Sequence, residues 1–551
     1  MQDAFVKAMS QGYALSASGI LLGCPMLDGE VTPDVRVQLA LAMANRHGLI
    51  AGATGTGKTT TLKIMAAELS DAGVPVFISD IKGDVTGIAG PNDPTDKGVV
   101  ARVQEMRLDY HASGHAVEFL SLSGKLGAQV RATVSSFGPV LLGKVLDLNE
   151  TQTSILSMVF KYCDDNQLPL LDLKDLQETL KFLSSDAGKP ALADYGGMSP
   201  ASVGVLQRSM ITFEQSGADI FFGEPEFDVN DLMRLTPDGK GVVSVLELSD
   251  VMDKPQLFST FMLWLLARLY HSLPEVGDLP KPKLAFFFDE AHLLFDDASE
   301  ALLDQIEQTV RLIRSKGVGV YFSTQAPTDI PASVLGQLGN RVEHALRAFT
   351  AQDADNLQKV AKTYPTSQFY DIAKTLTSLG IGEALVTVLT PKGVPTPLAA
   401  VRLVPPDCLF GALDQTAFQQ AVASGSLKAK YGTGVDRQSA YEILAARLQA
   451  ARQQAAAGAA AGAGTMGAPA GGGTMGAPGG GMTAAQQEKA QKAAAKAAER
   501  AQAQARKEAA AAAKARDKMI GDVVKTGGKV LTSRTGQSII RGVFGVLFGS
   551  K

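Results

Sequence analysis

Cysteine is scarce in this chain, with three residues among 551. Cys24, Cys163 and Cys408 stand far apart, which excludes a disulfide framework or a clustered thiolate site and is typical of buried thiols in a reducing cytosol. A basic stretch followed by an apolar run is missing from the first residues, so no signal peptide is predicted. The longest apolar run, around 257–269, is too short to span a bilayer. These absences predict a cytoplasmic protein without integral membrane association.

A large excess of one charge is also missing, since the net charge is −4 over the whole chain. Bulk composition therefore does not indicate a nucleic-acid-binding protein. The charge is unevenly placed, because residues 1–450 carry 37 basic and 51 acidic groups whereas residues 451–551 carry 15 and 5. This pattern describes an acidic body with a basic tail.

A glycine-rich loop gives the clearest chemical signal. Residues 52–59 read Gly-Ala-Thr-Gly-Thr-Gly-Lys-Thr and match the full P-loop pattern G-x-x-x-x-G-K-[ST] between a predicted strand and a predicted helix. Its backbone N–H groups would cradle phosphates, Lys58 would reach the β- and γ-phosphates of ATP, and the Thr59 hydroxyl would bind Mg²⁺. The predicted nucleotide-binding residues are Gly52, Ala53, Thr54, Gly55, Thr56, Gly57, Lys58, Thr59 and Thr60.

Two carboxylates follow a later apolar strand, 284–288. We predict that Asp289 holds the Mg²⁺ shell and that Glu290 activates water as the general base. The alternative interpretation is an exposed acidic strand end. Asp80 and Asp84, at the tip of the second strand, would either tune the Mg²⁺ shell or serve as plain turn residues, and the sequence leaves both open.

Two further polar residues are candidates for the catalytic site. Gln325 follows the next strand, 318–323, where it would sense the γ-phosphate or position water, or would simply be a polar residue at a strand end. Arg314 closes the preceding helix and would neutralise phosphoryl charge, in cis or from a neighbouring subunit. A cation at a helix C-terminus is also favoured by the helix dipole, so a capping role remains the alternative.

Together these segments resemble the HerA/FtsK-type RecA-like P-loop ATPases, and more narrowly the bacterial helicase HerA-like ATPases formerly grouped as a family of unknown function. The resemblance covers roughly 20–405, and Arg541–Gly545 also fits the narrower family. It implies a hexameric ring that uses ATP and Mg²⁺, with Arg314 acting across a subunit interface. The segments that carry it are Ala51–Thr61, Ile78–Asp84, Phe287–Leu294, Arg314–Val320, Ser323–Ile330 and Leu379–Leu385.

The fold class predicted from this pattern is α/β: a RecA-like P-loop core with a mostly parallel sheet, a mainly helical insertion and a low-complexity C-terminal tail. All-apolar strands predict a sheet covered on both faces. The predicted parts are 1–100 and 241–405 for the two portions of the core, 101–240 for the insertion, 406–449 for a helical extension, 450–483 for a Gly/Ala-rich flexible linker and 484–551 for a basic Ala-rich helix with an apolar docking segment.

The function that we predict is an ATP-hydrolysing motor, a homo-oligomer and by resemblance a hexamer, that acts on nucleic acid without sequence preference. One alternative is an ATP-controlled switch or scaffold with slow turnover and protein partners. Another is a single-core helicase-like enzyme. The basic segment 484–518 lacks aromatic residues, so it would contact phosphates without stacking on bases, or it would simply be a solvated spacer.

Overall fold

A thirteen-stranded mixed sheet is the centre of the protein, as seen in a computed structural model. The structure describes residues 1–192, 194–277, 279–295 and 300–463. Residues 1–462 form one unit. The predictions for 464–551, which are most of the flexible linker, the basic helix and the docking segment, lie outside the described residues.

The strands are short, and their bounds place all of the long helices between strands or after them. The strands are β1 Gly19–Leu27, β2 Glu30–Val31, β3 Val37–Ala40, β4 Gly48–Ala51, β5 Val76–Asp80, β6 Val117–Ser121, β7 Ala128–Gln129, β8 Val243–Glu247, β9 Leu284–Phe288, β10 Val318–Thr324, β11 Asn340–Glu343, β12 Glu383–Thr387 and β13 Ala399–Leu403. The helices are α1 Gln2–Gly12, α2 Lys58–Asp71, α3 Lys97–Met106, α4 Val134–Phe137, α5 Pro139–Val145, α6 Glu150–Asp165, α7 Leu173–Ser184, α8 Pro200–Gln215, α9 Pro255–Ser272, α10 Glu300–Ile313, α11 Ala332–Leu335, α12 Ala351–Ala361, α13 Ile372–Ser378, α14 Gln415–Ser424, α15 Ser426–Tyr431 and α16 Ala440–Ala463.

Strand order sets where the site lies. The sheet runs β2-β1-β13-β12-β11-β4-β10-β9-β5-β8-β6-β7, with β3 paired to β1. Along this order, the neighbours among β11, β4, β10, β9, β5, β8, β6 and β7 pair in parallel. The pairs β11–β12, β12–β13 and β13–β1 are antiparallel. The carboxyl ends of β4, β10, β9 and β5 therefore meet at one edge, where ligands bind in α/β sheets. The predicted α/β class with a mostly parallel sheet is confirmed.

Both faces of the sheet are buried, as its apolar strands predict. Successive residues of a strand point to opposite faces, and β9 divides accordingly: Phe286 and Phe288 belong to one hydrophobic core, whereas Phe287 belongs to the other. Neighbouring strands add cross-strand ring contacts, with Phe287 stacked on Tyr321 at a centroid distance of 4.8 Å. This double burial fixes the register of the strands that carry the site.

The segment 101–240, predicted to be mainly helical, also contains two strands that the sequence pattern did not reveal. β6 pairs in parallel with β8 and with β7, and helices α4 to α8 lie between β7 and β8. β6 escaped prediction because its five residues are not followed by the helix of a regular βαβ unit.

The C-terminal boundary also differs from the prediction. α16 continues to Ala463, so the start of the predicted flexible linker, from 450, is helical. The abundance of alanine, the strongest helix former, explains this difference. Within the described ranges, none of the helices combines the length and apolarity needed to cross a bilayer.

Candidate functional site

The P-loop forms a cradle between β4 and α2. Gly52 and Gly57 have φ angles of 147° and 110°, in the region that favours glycine. A Cβ added to Gly52 would lie 2.5 Å from the Cβ of His344. The loop therefore takes this path because both positions are glycine, and its N–H groups converge at the amino end of α2.

Lys58 opens α2 and is turned towards the loop. Its Nζ donates hydrogen bonds to the carbonyl oxygens of Gly52 at 2.8 Å and Ala53 at 3.2 Å. Burial lowers the pKa of Lys58, and the negative charges of Glu290 and Asp289 oppose that shift. The ammonium group thus lies inside the cradle with two carbonyl partners that an incoming phosphate would replace.

Asp289 follows β9 and presents one free oxygen to the site. Its Oδ1 accepts a hydrogen bond from Ser323 Oγ at 2.9 Å, whereas its buried Oδ2 has no hydrogen-bond partner in the part of the chain that the structure describes. Burial raises the pKa of Asp289 to about 6, and the Ser323 hydrogen bond counteracts part of that rise. Oxygen ligands of this kind suit Mg²⁺.

Asp80 and Asp84 complete an acidic cluster with Asp289. One carboxylate oxygen from each of the three lies within 4.8 Å of the others. Asp84 Oδ1 is buried and has no hydrogen-bond partner within the described ranges, so it fits a metal ion or its bound water. The donor set at this point therefore fits a divalent cation.

Asp80 has a structural task as well. Its carboxylate accepts the N–H groups of Lys82 at 3.1 Å, Gly83 at 2.7 Å and Val85 at 2.8 Å. Burial raises its pKa to about 7 against the effect of these hydrogen bonds. Of the two interpretations left open by the sequence, the turn role holds for Asp80, and the ligand role is available to Asp84.

Glu290 lies next to Asp289 in a strained turn. Its φ is 47°, which a non-glycine residue rarely adopts, and it is 5% exposed. Lys82 Nζ contacts its Oε1, and His292 Nδ1 lies 3.4 Å from its Oε2. Burial raises the pKa of Glu290, but the hydrogen bond and charge of Lys82 outweigh it, and the net pKa falls below the usual value. The base candidate is thus a buried and ionised carboxylate.

Gln325 lies at the same edge as the P-loop. It is exposed and directly follows Thr324, which pairs with Ala51 at the end of β4. Its catalytic role stays a prediction.

Arg314 lies at the opposite edge. It precedes β10. Its positive charge acts on His47, the residue before β4. The pKa of His47 falls to about 4, mainly through burial and further through positive charges that include that of Arg314. The seven residues of β10 separate the two edges by about 20 Å at the usual strand rise. Arg314 therefore cannot reach the phosphate cradle of its own chain.

Two residues at the site were missed by the sequence analysis. Besides Lys82, His344 packs behind the loop and its Nε2 lies 2.9 Å from Thr61 Oγ1. Burial, followed by the charge of Lys58, lowers the pKa of His344 to about 4, so the ring is neutral. His344 directly follows Glu343, the last residue of β11, and β11 pairs in parallel with β4, so both strands end at this edge.

A largely apolar cavity opens beside the first turn of α2. Its volume is about 270 Å³, and it is open to solvent on one side. Thr60 lies on the wall that it shares with the P-loop. The residues that face it from the other side include Arg102, Ile381, Pro405 and Phe410.

Similarity to known proteins was found at three levels. Residues 26–551 match the family described as helicase HerA-like C-terminal. The DNA double-strand break repair helicase HerA of Sulfolobus acidocaldarius is 22% identical over 365 residues, and the match spans 64% of this chain and 64% of that helicase. The unbound bacterial conjugative coupling protein TrwBdeltaN70 is similar with a TM-score of 0.46 and 14% identity, over 71% of this chain and 90% of that one. VirB4 of Thermoanaerobacter pseudethanolicus gives a TM-score of 0.43 and 15% identity, over 71% and 97%.

Proposed function

The chain belongs to the helicase HerA-like C-terminal family, and we propose that it is an ATP-hydrolysing motor that forms a hexameric ring and acts on nucleic acid. One observation supports the ATPase most directly. The phosphate cradle with Lys58 shares its sheet edge with two buried carboxylate oxygens, Asp289 Oδ2 and Glu290 Oε2, that have no hydrogen-bond partner among the described residues. Buried polar atoms are usually satisfied, so these two oxygens fit a bound cation and the attacking water.

The residues divide the chemistry of hydrolysis among them. The P-loop N–H groups and Lys58 would bind the phosphates, with Lys58 exchanging its two carbonyl partners for phosphate oxygens. Thr59, Asp289 and Asp84 would hold Mg²⁺, whose role is to neutralise charge on the phosphates. Glu290 would accept the proton of the attacking water, and Gln325 would orient that water or sense the γ-phosphate.

The nucleoside would occupy the 270 Å³ cavity. The wall that contains Gly57 and Thr60 continues directly from the phosphate cradle, so a nucleotide with its phosphates in the loop reaches the cavity with its base. Ile381 and Phe410 would offer apolar contacts to a planar ring. Both are exposed, at 73% and 49%, in the structure, and a bound base would cover part of that surface.

The position of Arg314 supports a ring. Because it lies a strand length from the phosphates of its own chain, any role in phosphoryl transfer requires that it act on the site of a neighbour. A closed ring gives every site one such arginine.

Nucleic acid is proposed as the substrate on two grounds. The matched relative is named as a DNA helicase, and residues 451–551 carry 15 basic groups against 5 acidic ones. Binding through the tail would be independent of sequence, because it would rest on phosphate contacts.

One experiment tests the proposal against its alternative. ATP turnover is measured with and without double- and single-stranded DNA, and the mass in solution is measured with and without ATP. We expect turnover to rise with DNA and a sixfold mass with ATP. Slow turnover that does not change when DNA is added would favour the ATP-controlled switch or scaffold. Absence of ATP hydrolysis would overturn the proposal of a motor.

A further inference from the structure

Lys82 is a second lysine at the phosphate site, and it lies outside the P-loop pattern of residues 52–59. It lies in the turn after β5 and contacts Oε1 of Glu290, which is 208 positions away in the sequence. We propose that Lys82 is a positioning residue for hydrolysis: it fixes the Glu290 carboxylate through Oε1, so that Oε2 is left to accept the proton of the attacking water. This inference rests on the proposed ATPase activity.

The two oxygens of Glu290 are in different surroundings. Oε1 is occupied by Lys82, whereas Oε2 is buried and has no hydrogen-bond partner among the described residues, with His292 Nδ1 at 3.4 Å outside hydrogen-bonding geometry. The terminal torsion of a glutamate is broad, so a carboxylate without a fixed contact would exchange its two oxygens and sample several directions. An ammonium group on one oxygen removes that freedom, and orientation of a reacting group contributes directly to rate.

The backbone under Lys82 is held firmly enough for this task. Asp80 closes the turn by accepting the N–H groups of Lys82, Gly83 and Val85. Asp80 is fully buried at the end of β5, next to β9 in the sheet. The turn that carries Lys82 and the strand that carries Glu290 are therefore neighbours in one hydrogen-bonded sheet.

The position of Lys82 admits a second role, which is direct contact with the γ-phosphate. Its side chain is 48% exposed, and its charge acts on Lys58, so the two cations lie near each other. The roles differ in what they require: a phosphate contact would act without Glu290, whereas positioning acts only through it. A double-mutant comparison separates them.

The test uses Lys82→Met, Lys82→Gln and Lys82→Arg in the full chain, each with and without Glu290→Gln. Rates are taken from steady-state ATP turnover and, for slow variants, from single turnovers with enzyme in excess. We expect Lys82→Met and Lys82→Gln to lower kcat by about 10- to 100-fold, which is less than the roughly 10²- to 10⁴-fold contribution of a general base, because the base itself is still present. KM for ATP should change less than threefold, since the cradle is intact. Lys82→Arg should restore part of kcat, and neither neutral variant should lower the rate further in the Glu290→Gln background.

Lys161→Met is the matched control, because Lys161 makes an exposed ion pair with Asp165 within one helix. It should retain wild-type kcat. ATP binding, measured by calorimetry, shows that each variant retains a folded site. Wild-type kcat in both neutral variants would overturn the inference, as would an equal loss of rate in the presence and absence of Glu290. Failure of the proposed ATPase itself is recognised separately, because the wild-type chain would then hydrolyse no ATP.

Discussion

Gly52 offers a direct test of how the cradle is built. An alanine at this position would keep the glycine's φ of 147° only under strain, and its Cβ would lie 2.5 Å from His344 Cβ. His344 cannot retreat easily, because its N–H donates to the carbonyl oxygen of Ala51 at 2.7 Å. Gly55 is the matched control: its φ is 77°, but an added Cβ would meet nothing within 4 Å.

The two substitutions therefore differ in their contacts, since a Cβ at Gly52 would also lie 3.1 Å from both His344 Cα and Thr56 Oγ1. Gly55→Ala should cost about 1–2 kcal/mol in the free energy of unfolding, the usual penalty for a left-handed L-residue. Gly52→Ala should cost at least that much backbone strain, because a φ of 147° lies further from the left-handed region that L-residues adopt, and in addition about 1–3 kcal/mol for overlap in a packed region. Because the loop would have to move, the carbonyl oxygen that holds Lys58 would move as well, and affinity for ATP should fall about tenfold or more for a loss above 1.4 kcal/mol.

Urea unfolding of both variants measures the first quantity, and calorimetric titration with ATP measures the second. The deciding comparison is the difference in the free energy of unfolding between Gly52→Ala and Gly55→Ala. Equal losses in the two variants would refute the reasoning, because the contact with His344 would then contribute nothing.

Four further results are expected. Lys58→Ala should abolish hydrolysis and weaken ATP binding sharply in calorimetry, since the cradle loses its ammonium; normal binding and turnover would remove the basis for the ATPase. Glu290→Gln should bind ATP but hydrolyse it about 10²- to 10⁴-fold more slowly in single turnovers, and wild-type turnover would show that another group is the base. Mixtures of Arg314→Ala with Glu290→Gln chains should regain some ATPase activity if Arg314 acts on a neighbour, whereas no recovery in mixtures shown to co-assemble would favour a capping role. A chain ending at Ala450 should retain basal turnover but bind DNA more weakly at low salt; equal DNA affinities at two salt concentrations would leave the tail as a spacer.

Local patterns were enough to locate the main elements of the site. The P-loop carries its whole pattern in eight residues, and β9 is an unbroken apolar run that ends in Asp289 and Glu290. Parallel strands bring their carboxyl ends to one edge, so the meeting of these two segments followed from the order of strands and helices. The structure places them at that edge, while the roles of the individual side chains stay predictions.

Long-range contacts could not be predicted in the same way. Lys82 and Glu290 are 208 positions apart, and Thr61 and His344 are 283 apart. The sequence around Lys82 does not predict that its ammonium group faces a carboxylate, because this contact depends on the lateral order of β5 and β9. The cavity proposed for the nucleoside also depends on long-range contacts, since its walls come from α2, α3 and the segment after β13. β6 was missed for a local reason, because a five-residue strand without a following helix has no period to detect.

In the proposed ring, β10 connects the phosphate site of its own subunit with Arg314 at the opposite edge of the sheet. Its carboxyl end carries Ser323, which holds Asp289, and Gln325 follows at the same edge; Arg314 precedes its amino end. All seven residues of the strand are buried, and it pairs in parallel with β4 on one side and β9 on the other. Packed interiors have low compressibility and transmit strain. If Arg314 acts on the next subunit, a change at Asp289 would reach that neighbour through one rigid element, and hydrolysis in adjacent subunits would be coupled through β10.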